Sequence, residues 1–252
     1  TGVIDAQGDL ILLDWAFNGW AKYPNWRQDA GVGPAIARLT GLRREEPRLA
    51  DTKPRIVLEG GGIEVNGQGL LLVTEEWLLS SVQVRNPGMT REAYEAAFHE
   101  YLGTERTIWL GEGAVGDDTH GHVDDVARFV ESHTVVVAHE ADPSDENHRR
   151  TADNLRRLEL AGRTWPGGLE VVTLPFPEPV IVDGERLPAS YANFYVANGL
   201  VLVPTFDDPS DRVALATLSE LFPERSVVGI YSVDLVWGLG ALHCLTQQQP
   251  AG

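Results

Sequence analysis

The chain has 252 residues, 43% of them hydrophobic, so it is long enough to bury a substantial core in one large domain or two small ones. Its 37 Asp and Glu residues outnumber its 20 Lys and Arg residues, and the net charge of −17 opposes binding to nucleic acid or anionic membranes. No apolar run is long enough to span a bilayer and no signal-like stretch begins the sequence. We therefore expect a cytoplasmic protein with no nucleic acid or membrane partner, whose charge would attract a small cation.

The first predicted unit begins with a hairpin. Gly2–Ile4 and residues 10–14 are predicted strands on either side of a turn at Gln7-Gly8. Residues 28–39 predict a helix, although they include two glycines and a proline, and residues 55–58 predict the strand that closes the unit. The predicted order is strand, strand, helix, strand.

The second unit repeats this order with clearer signals. Strands are predicted over 61–66 and 69–74, joined at Asn66-Gly67, because both turn residues tolerate the positive φ angles of a tight hairpin. A helix then runs from its cap Thr90 to Gly103, since apolar residues recur between them at helical spacing. Those apolar residues are Tyr94, Ala97, Phe98, Tyr101 and Leu102.

The third unit is predicted from strands at 126–130 and Thr134–Ala138, a helix over 146–161 that Gly162 ends, and a strand at 169–174. A fourth unit then follows the same order. Its segments are strands at 194–197 and 200–203, a helix at 211–221 and the strand Ser226–Tyr231.

Each of these four units is too small to bury its own apolar face. We therefore predict a single α/β domain over residues 1–252, in which the units pack around a common centre.

The segment 116–125 concentrates ionisable side chains, with four carboxylates and two imidazoles in ten residues. Like charges this close destabilise a fold unless a cation compensates them, so the segment predicts a binding site. One interpretation is a metal site formed by His120, His122 and Asp124, which would share one face of an extended strand. The other is an organic cation held by Asp124, with His122 exchanging protons. We favour the second, because the motifs of zinc proteases and zinc nucleobase deaminases are absent from the sequence.

Two further segments are weaker candidates. Glu59 ends an apolar strand and precedes three glycines, which indicates either a sharp turn or a close approach of the backbone to a ligand. Residues 13–26 hold an aromatic cluster; such clusters are usually core, but Trp rings also contact the faces and stems of cations.

Cys244 is the only cysteine of the chain. It therefore has no intramolecular disulfide partner, and the usual ligand sets of a structural zinc site require at least two cysteines. Two interpretations remain, a small buried hydrophobe and a nucleophile.

Taken together, these segments resemble the agmatine deiminases of the guanidino-modifying superfamily, which also includes peptidylarginine and arginine deiminases. The resemblance covers nearly the whole chain in four ordered motifs. The motifs are Asp14-Trp15-x-Phe17-Asn18-x-Trp20, Glu59-Gly60-Gly61, Gly116-Asp117-Asp118-Thr119-x-Gly121-His122-Val123-Asp124, and His243-Cys244-Leu245-Thr246-Gln247-Gln248.

The resemblance implies a pentein-type α/β propeller, in which five ββαβ repeats surround a narrow central channel; about four of the five would be present in this chain. It implies hydrolysis of agmatine to N-carbamoylputrescine and ammonia, without a metal or organic cofactor. In that reaction Cys244 would be the nucleophile and His122 the general acid and base. Glu59 would partner His122 at the guanidinium, and Asp124 would bind that cation.

The resemblance also implies residues that bind the rest of the substrate, namely Asp118 toward its amine end, together with Trp15 and Asn18. It implies a homo-oligomer, a dimer or larger. Two alternatives stay open: a peptidylarginine deiminase, and a catalytically impaired fragment that binds guanidines or polyamines.

Three residues depart from the family pattern. Leu239 and Ala21 occupy positions where glycine is usual, and His120 one where Asp or Asn is common. The family also carries an Arg-Asp-x-Gly-Pro stretch upstream of Thr1, which contributes a further carboxylate to the guanidinium. A chain that starts at Thr1 is therefore expected to be weakly active or inactive.

Overall fold

A computed structural model describes residues 1–49 and 53–250. The strands are β1 (Gly2–Ile4), β2 (Leu10–Leu13), β3 (Arg43–Glu45), β4 (Glu64–Val65), β5 (Leu70–Thr74), β6 (Arg106–Leu110), β7 (Ala127–Glu131), β8 (Thr134–Ala138), β9 (Glu170–Leu174), β10 (Ile181–Val182), β11 (Glu185–Arg186), β12 (Tyr195–Ala197), β13 (Leu200–Thr205) and β14 (Ser226–Tyr231). The α-helices are α1 (Val32–Thr40), α2 (Glu75–Leu79), α3 (Arg91–Leu102), α4 (Glu146–Gly162), α5 (Ser210–Leu221) and α6 (Val233–Val236). The fold is α/β, as predicted.

The structure divides into two compact units. One contains Thr1–Gly60, Leu78–Thr107 and the residues from Gln247 onward, and the other contains Gly61–Trp77 and Ile108–Thr246. Within the described residues, no helix has the length and apolar composition needed to cross a membrane.

In the first unit, β1, β2 and β3 form one sheet. β1 pairs antiparallel with β2 and β3 pairs parallel with it, so the predicted hairpin is confirmed. α1 starts at Val32, after a 3₁₀ turn at residues 29–31, rather than at residue 28. Pro34 is tolerated because it lies in the first helical turn, where backbone N–H groups have no partner within the helix.

The strand predicted over residues 55–58 is wrong. The third strand of this sheet is β3, and the predicted segment forms only isolated bridges, Ala16 with Val57 and Arg48 with Arg55. Gly41 ends α1 with a φ of 73°, so the chain reverses at once and residues 43–45 reach the edge of β2 first. The apolar run misled the prediction, because Ile56 and Leu58 are buried without being part of a ladder.

The predicted boundaries of α3 are confirmed. The Thr90 hydroxyl accepts the Ala93 N–H at the first turn, and Gly103 ends the helix with a φ of 66°. A cap of this kind typically contributes about 1 kcal/mol to stability.

The second unit contains two complete three-stranded sheets and most of the sheet formed by β4, β5 and β6. β7, β8 and β9 form one sheet and β12, β13 and β14 another, each with an antiparallel hairpin followed by a parallel strand. In the third sheet, β4 and β5 form the hairpin, but the strand predicted from residue 61 begins only at Glu64, because residues 60–62 form a 3₁₀ turn.

Fully buried apolar side chains hold these sheets to their helices. Leu158 of α4 packs with β5 and β8, while Ala214 and Leu218 of α5 pack with β13. Full burial of one leucine contributes about 1.5–3 kcal/mol. Packing of the helices therefore stabilises the sheets next to which the candidate catalytic residues lie.

α4 ends at Gly162 as predicted, although this glycine does not form a left-handed cap. Arg163 follows it in right-handed helical geometry. A Cβ on Gly162 would lie 3.0 Å from the Leu169 Cβ, so this glycine permits close packing of the helix on the segment that leads to β9.

Candidate active site

Cys244 lies a few residues beyond α6, on a turn of the second unit. The turn passes through Leu239 at a φ of 64° and through Gly240, where a Cβ would lie 2.8 Å from the Cys244 Cβ. Cys244 is exposed to solvent, so the interpretation as a small buried hydrophobe is wrong.

The Asp124 carboxylate is the centre of the site. It is fully buried, and its Oδ2 accepts a hydrogen bond from His243 Nδ1 at 2.7 Å and one from the Cys244 thiol at 3.4 Å. Its Oδ1 has no hydrogen-bond partner among the described residues. A buried carboxylate oxygen without a donor is costly, and an N–H donor of a bound ligand would satisfy it.

His122 approaches the same point of the Gly61 backbone as Asp124 does. A Cβ on Gly61 would lie 2.8 Å from His122 Nδ1 and 2.9 Å from Asp124 Oδ2, so both polar atoms face one point of the Gly61 backbone. His122 is buried, and its ring meets that of Trp77 edge to face at 5.5 Å. Gly61 thus brings the backbone close to both of these side chains.

The prediction that residues 120–124 form an extended strand is wrong. The Asp117 carboxylate accepts the N–H groups of Thr119, Gly121 and His122, which curls the segment into a turn, and residues 123–125 continue as a 3₁₀ turn. Alternate residues therefore do not share a face.

The metal trio of His120, His122 and Asp124 is not supported either. His120 Nδ1 lies 3.9 Å from Glu76 Oε1, whereas His122 and Asp124 face Gly61. Asp118 is partly exposed in the same turn. Asp118 thus lies in the turn that leads to His122.

The three departures from the family pattern share one property. Leu239, His120 and Ala21 all have positive φ angles, at 64°, 65° and 54°. This is the region that glycine, Asn and Asp adopt readily, which explains why the family favours those residues there. The chain adopts this left-handed backbone conformation at all three positions, although each residue carries a side chain.

The electrostatics of the site favour a neutral thiol in the absence of ligand. The surrounding protein and then the Asp124 and Asp125 carboxylates raise the pKa of Cys244 far above its ordinary value. Because Cys244 is exposed by surface area, removal from water is the weaker of these causes, and the two carboxylates are the stronger. A cation bound to those carboxylates would reverse their effect.

The two neighbouring aspartates differ in their affinity for protons. Burial opposes ionisation of Asp124, but the hydrogen bond from His243 and the nearby charges of His122 and Arg128 lower its pKa overall. Burial and then the Asp124 charge raise the pKa of Asp125 well above its usual range. Asp124 is therefore the carboxylate that is ready to bind a cation.

Sequence reasoning missed three polar residues of this site. Asn193 is fully buried, and its side-chain amide donates to Cys244 Sγ at 3.1 Å and to Asp125 Oδ1 at 3.0 Å. His243 lies in the motif that contains Cys244, and Asp125 directly follows the motif that ends at Asp124. Their position next to residues with expected roles was the signal that could have identified them. Asn193 lies 51 residues before Cys244 and had no such signal.

Glu59, Trp15 and Asn18 lie in the first unit. Glu59 is buried, and its Oε1 accepts a hydrogen bond from Arg85 Nε at 3.1 Å. The sequence did not indicate this contact with the guanidinium of Arg85. Trp15 is buried and donates to the Thr1 hydroxyl at 3.2 Å, and Asn18 accepts the Ala21 N–H at 2.9 Å. Each of these three side chains thus has a contact that supports local structure.

One cluster in the described residues offers donor atoms close enough for a metal. Atoms of Asp124, Asp125 and Cys244 lie within 4.8 Å of one another. Asp125 favours its protonated form, and zinc in proteins prefers Cys and His ligands. The donor set therefore suits an organic cation better than a transition metal.

Known proteins resemble this chain in both sequence and fold. The family model of the Porphyromonas-type peptidyl-arginine deiminases matches residues 1–250, and the chain belongs to that family. A curated relative from Pseudomonas fluorescens, named agmatine deiminase, is 37% identical in an alignment that covers 100% of this chain and 72% of the relative.

Two solved structures are also similar. The agmatine deiminase of Enterococcus faecalis has a TM-score of 0.88 and 33% identity, over 99% of this chain and 72% of that one. A substrate-bound agmatine deiminase of C. Jejuni has a TM-score of 0.86 and 27% identity, over 97% of this chain and 69% of that one.

Proposed function

We propose that this protein is a hydrolase that deiminates agmatine to N-carbamoylputrescine and ammonia through a covalent intermediate on Cys244. The observation that carries the proposal is the buried Asp124 carboxylate, whose unpartnered Oδ1 lies in the same side chain as an Oδ2 bonded to the Cys244 thiol. A guanidinium bound to Asp124 is thereby brought next to the sulfur. The relatives named agmatine deiminase support the choice of substrate.

The first requirement of the chemistry is to hold the guanidinium in place. This cation is planar, stays protonated in water and is a poor electrophile, so it must be oriented before attack. Asp124 supplies a charged acceptor, and Glu59 supplies a second carboxylate whose Oε1 is already bonded to Arg85. Because Arg85 neutralises much of the Glu59 charge, Glu59 would orient the guanidinium through hydrogen bonds more than attract it electrostatically.

The bound cation would also activate the nucleophile. Asp124 and Asp125 raise the pKa of the Cys244 thiol, and a guanidinium on Asp124 would cancel much of that effect. The thiol would lose its proton only when substrate is present. An exposed cysteine that stays protonated between turnovers is protected from oxidation and from unrelated electrophiles.

The thiolate would attack the central carbon of the guanidinium, forming a C–S bond as the C–N π pair moves to nitrogen. His122 would give a proton to the departing nitrogen, the C–N bond would break, and ammonia would leave a thiouronium on Cys244. Water would then lose a proton to His122 and add to the carbon. The C–S bond would break, which releases the ureido product and restores the thiol.

The same proposal includes the architecture that the sequence predicted. Repeated hairpin, helix and parallel-strand units support a propeller of ββαβ repeats around a central channel, about four of five repeats in this chain, as a single domain. Asp118, Trp15 and Asn18 would bind the remainder of the substrate. The enzyme would act in the cytoplasm as a homo-oligomer.

The test is ammonia release from agmatine, free arginine and an arginine-containing peptide, compared between the unsubstituted protein and Cys244→Ala. We expect weak turnover of agmatine that Cys244→Ala abolishes, because removing a nucleophile eliminates the effect of the whole catalytic group. Rapid acid quenching should trap a mass adduct on Cys244.

Three outcomes would overturn the proposal. Preferential turnover of the peptide would make the protein a peptidylarginine deiminase. Binding of agmatine without ammonia or adduct would make it a guanidine-binding protein. Residual ammonia release by Cys244→Ala would refute the covalent mechanism.

A further inference from the structure

We infer that Asn198 is a modification site, at which the folded protein deamidates spontaneously through a succinimide formed with Gly199. The inference is independent of the function proposed above. Three asparagines of the chain precede a glycine, namely Asn18, Asn66 and Asn198. A glycine has no Cβ to shield its backbone nitrogen, so an asparagine side chain before it can reach that nitrogen. The three pairs share this chemistry and differ in what holds them.

The reaction needs only the chain and water. The Gly199 backbone nitrogen attacks the side-chain carbonyl carbon of Asn198, forming a C–N bond and giving up its proton. The bond from that carbon to the NH₂ group breaks, and ammonia leaves a five-membered succinimide. Water then adds to one of the two imide carbonyl carbons, and the ring C–N bond at that carbon breaks. One direction of opening gives aspartate, and the other gives isoaspartate, in which the main chain runs through the former side chain.

The Asn66 side chain is held at both ends. Its Nδ2 donates to the Ser132 carbonyl oxygen at 2.7 Å, and its Oδ1 accepts the N–H groups of Gln68 and Leu70 at 2.8 Å and 2.9 Å. The side-chain carbonyl cannot turn toward the next backbone nitrogen while these bonds persist. Deamidation of Asn66 therefore requires a local opening of the hairpin.

Asn18 is restrained by its own turn. Its Oδ1 accepts the Ala21 N–H at 2.9 Å, and the following Gly19 is buried. A Cβ on Gly19 would collide with the Tyr23 carbonyl oxygen, which shows how closely this backbone is packed. Succinimide formation and its opening by water both require space that this turn does not provide.

Asn198 differs from both of these residues. It is exposed, as is Gly199, in the two-residue turn that joins β12 and β13. Among the described residues, the structure shows no hydrogen bond of the Asn198 side chain and none donated by the Gly199 N–H. The reacting carbon and nitrogen can therefore meet without the loss of any contact that stabilises the fold.

The backbone beside this turn is fixed, but the space around the reacting atoms is open. Arg225 Nη1 donates to the Ala197 carbonyl oxygen at 2.6 Å, and the Ser226 N–H donates to the Gly199 carbonyl oxygen at 3.0 Å. A Cβ on Gly199 would meet nothing within 4 Å. A tetrahedral adduct and an approaching water molecule thus have room while the hairpin stays paired.

The experiment compares the three sites within one molecule. The unsubstituted protein is incubated in mildly alkaline buffer well below its unfolding temperature, which circular dichroism checks, and is then digested at mildly acidic pH. Mass spectrometry of the peptides measures the replacement of NH₂ by OH at each asparagine, and chromatography separates the aspartate and isoaspartate forms. Asn198→Ser is the matched variant, since it removes the reactive amide from an exposed turn.

We expect Asn198 to deamidate about 10- to 100-fold faster than Asn66, because Asn66 must first break its hydrogen bonds. Isoaspartate should appear at Asn198, and ion exchange should resolve a form with one more negative charge that Asn198→Ser does not produce at the same rate. In urea, where the fold no longer protects Asn18 and Asn66, the three rates should become similar.

Two results would overturn the inference. Equal rates at Asn66 and Asn198 in the folded protein would show that the contacts of the Asn66 side chain do not control the reaction. Deamidation of Asn198 without any isoaspartate would exclude the succinimide.

Discussion

Replacing Gly61 with alanine tests the geometry of the site at a single methyl group. The added Cβ would lie 2.8 Å from His122 Nδ1 and 2.9 Å from Asp124 Oδ2. Ordinary contacts of this kind are about 3.5 Å or longer, so the two side chains or the backbone must move by about 0.6 Å or more. Gly61 does not have a positive φ, and the effect is therefore steric rather than conformational.

The displacement should impair catalysis more than stability. A misplacement of about 1 Å costs on the order of 100-fold in rate, whereas overpacking of this size costs about 1–3 kcal/mol in stability. We expect kcat/KM for agmatine to fall by about 10- to 100-fold in Gly61→Ala, while the protein remains folded. Ammonia release gives the first quantity and urea unfolding the second.

Gly31→Ala is the matched control. A Cβ at Gly31 would meet nothing within 4 Å, and its φ of −82° suits any residue. This substitution should leave kcat/KM unchanged and stabilise the protein by about 0.4–1 kcal/mol, since it restricts the unfolded chain. Wild-type kcat/KM in Gly61→Ala would show that His122 and Asp124 do not converge as described.

Three further predictions concern stability and use urea unfolding as the measurement. Ala21→Gly should stabilise the protein by roughly 0.5–1 kcal/mol, because Ala21 has a φ of 54° and a left-handed conformation costs a non-glycine residue about 1–2 kcal/mol; a loss of stability would refute this. Glu64→Gln should destabilise it by up to about 3–5 kcal/mol, because Glu64 Oε2 lies 2.8 Å from Arg128 Nε and both side chains are buried; a cost below about 1 kcal/mol would show that water or a neighbour compensates Arg128. Asp125→Asn should gain stability relative to the unsubstituted protein as the pH rises. The pKa of Asp125 is raised, so its contribution is fully present below the ordinary carboxyl pKa and is lost as the pH rises through the raised value. A stability difference that stays constant between about pH 4 and pH 8 would contradict this assignment.

Most helices and strands were predictable because their signals are local. Thr90 and Gly103 mark the ends of α3, and Asn66-Gly67 marks a hairpin, through contacts and backbone angles within a few residues. Ser226–Tyr231 and Thr134–Ala138 were predicted with the boundaries that the structure shows. The sequence motifs also identified the family, which the comparisons confirm.

Long-range contacts account for what was missed. Residues 55–58 were predicted to be a strand because they are mostly apolar. Instead, the polar residues 43–45, which closely follow α1, pair with β2 as the third strand of the sheet. The segment around His122 was predicted to be extended, and it curls because Asp117 binds the N–H groups of later residues.

The sequence alone identified the candidate residues for the chemistry: one cysteine, an acidic segment with His122, and the glycines after Glu59. Tertiary structure decided how they are connected. Asp124 and His243 are 119 residues apart and form a hydrogen bond of 2.7 Å, and Asn193 reaches the sulfur across 51 residues. Such contacts depend on where separate turns meet in space, and no local pattern of side chains encodes that meeting. The charge of each group, and with it the neutral state of the resting thiol, follows from the same three-dimensional neighbours.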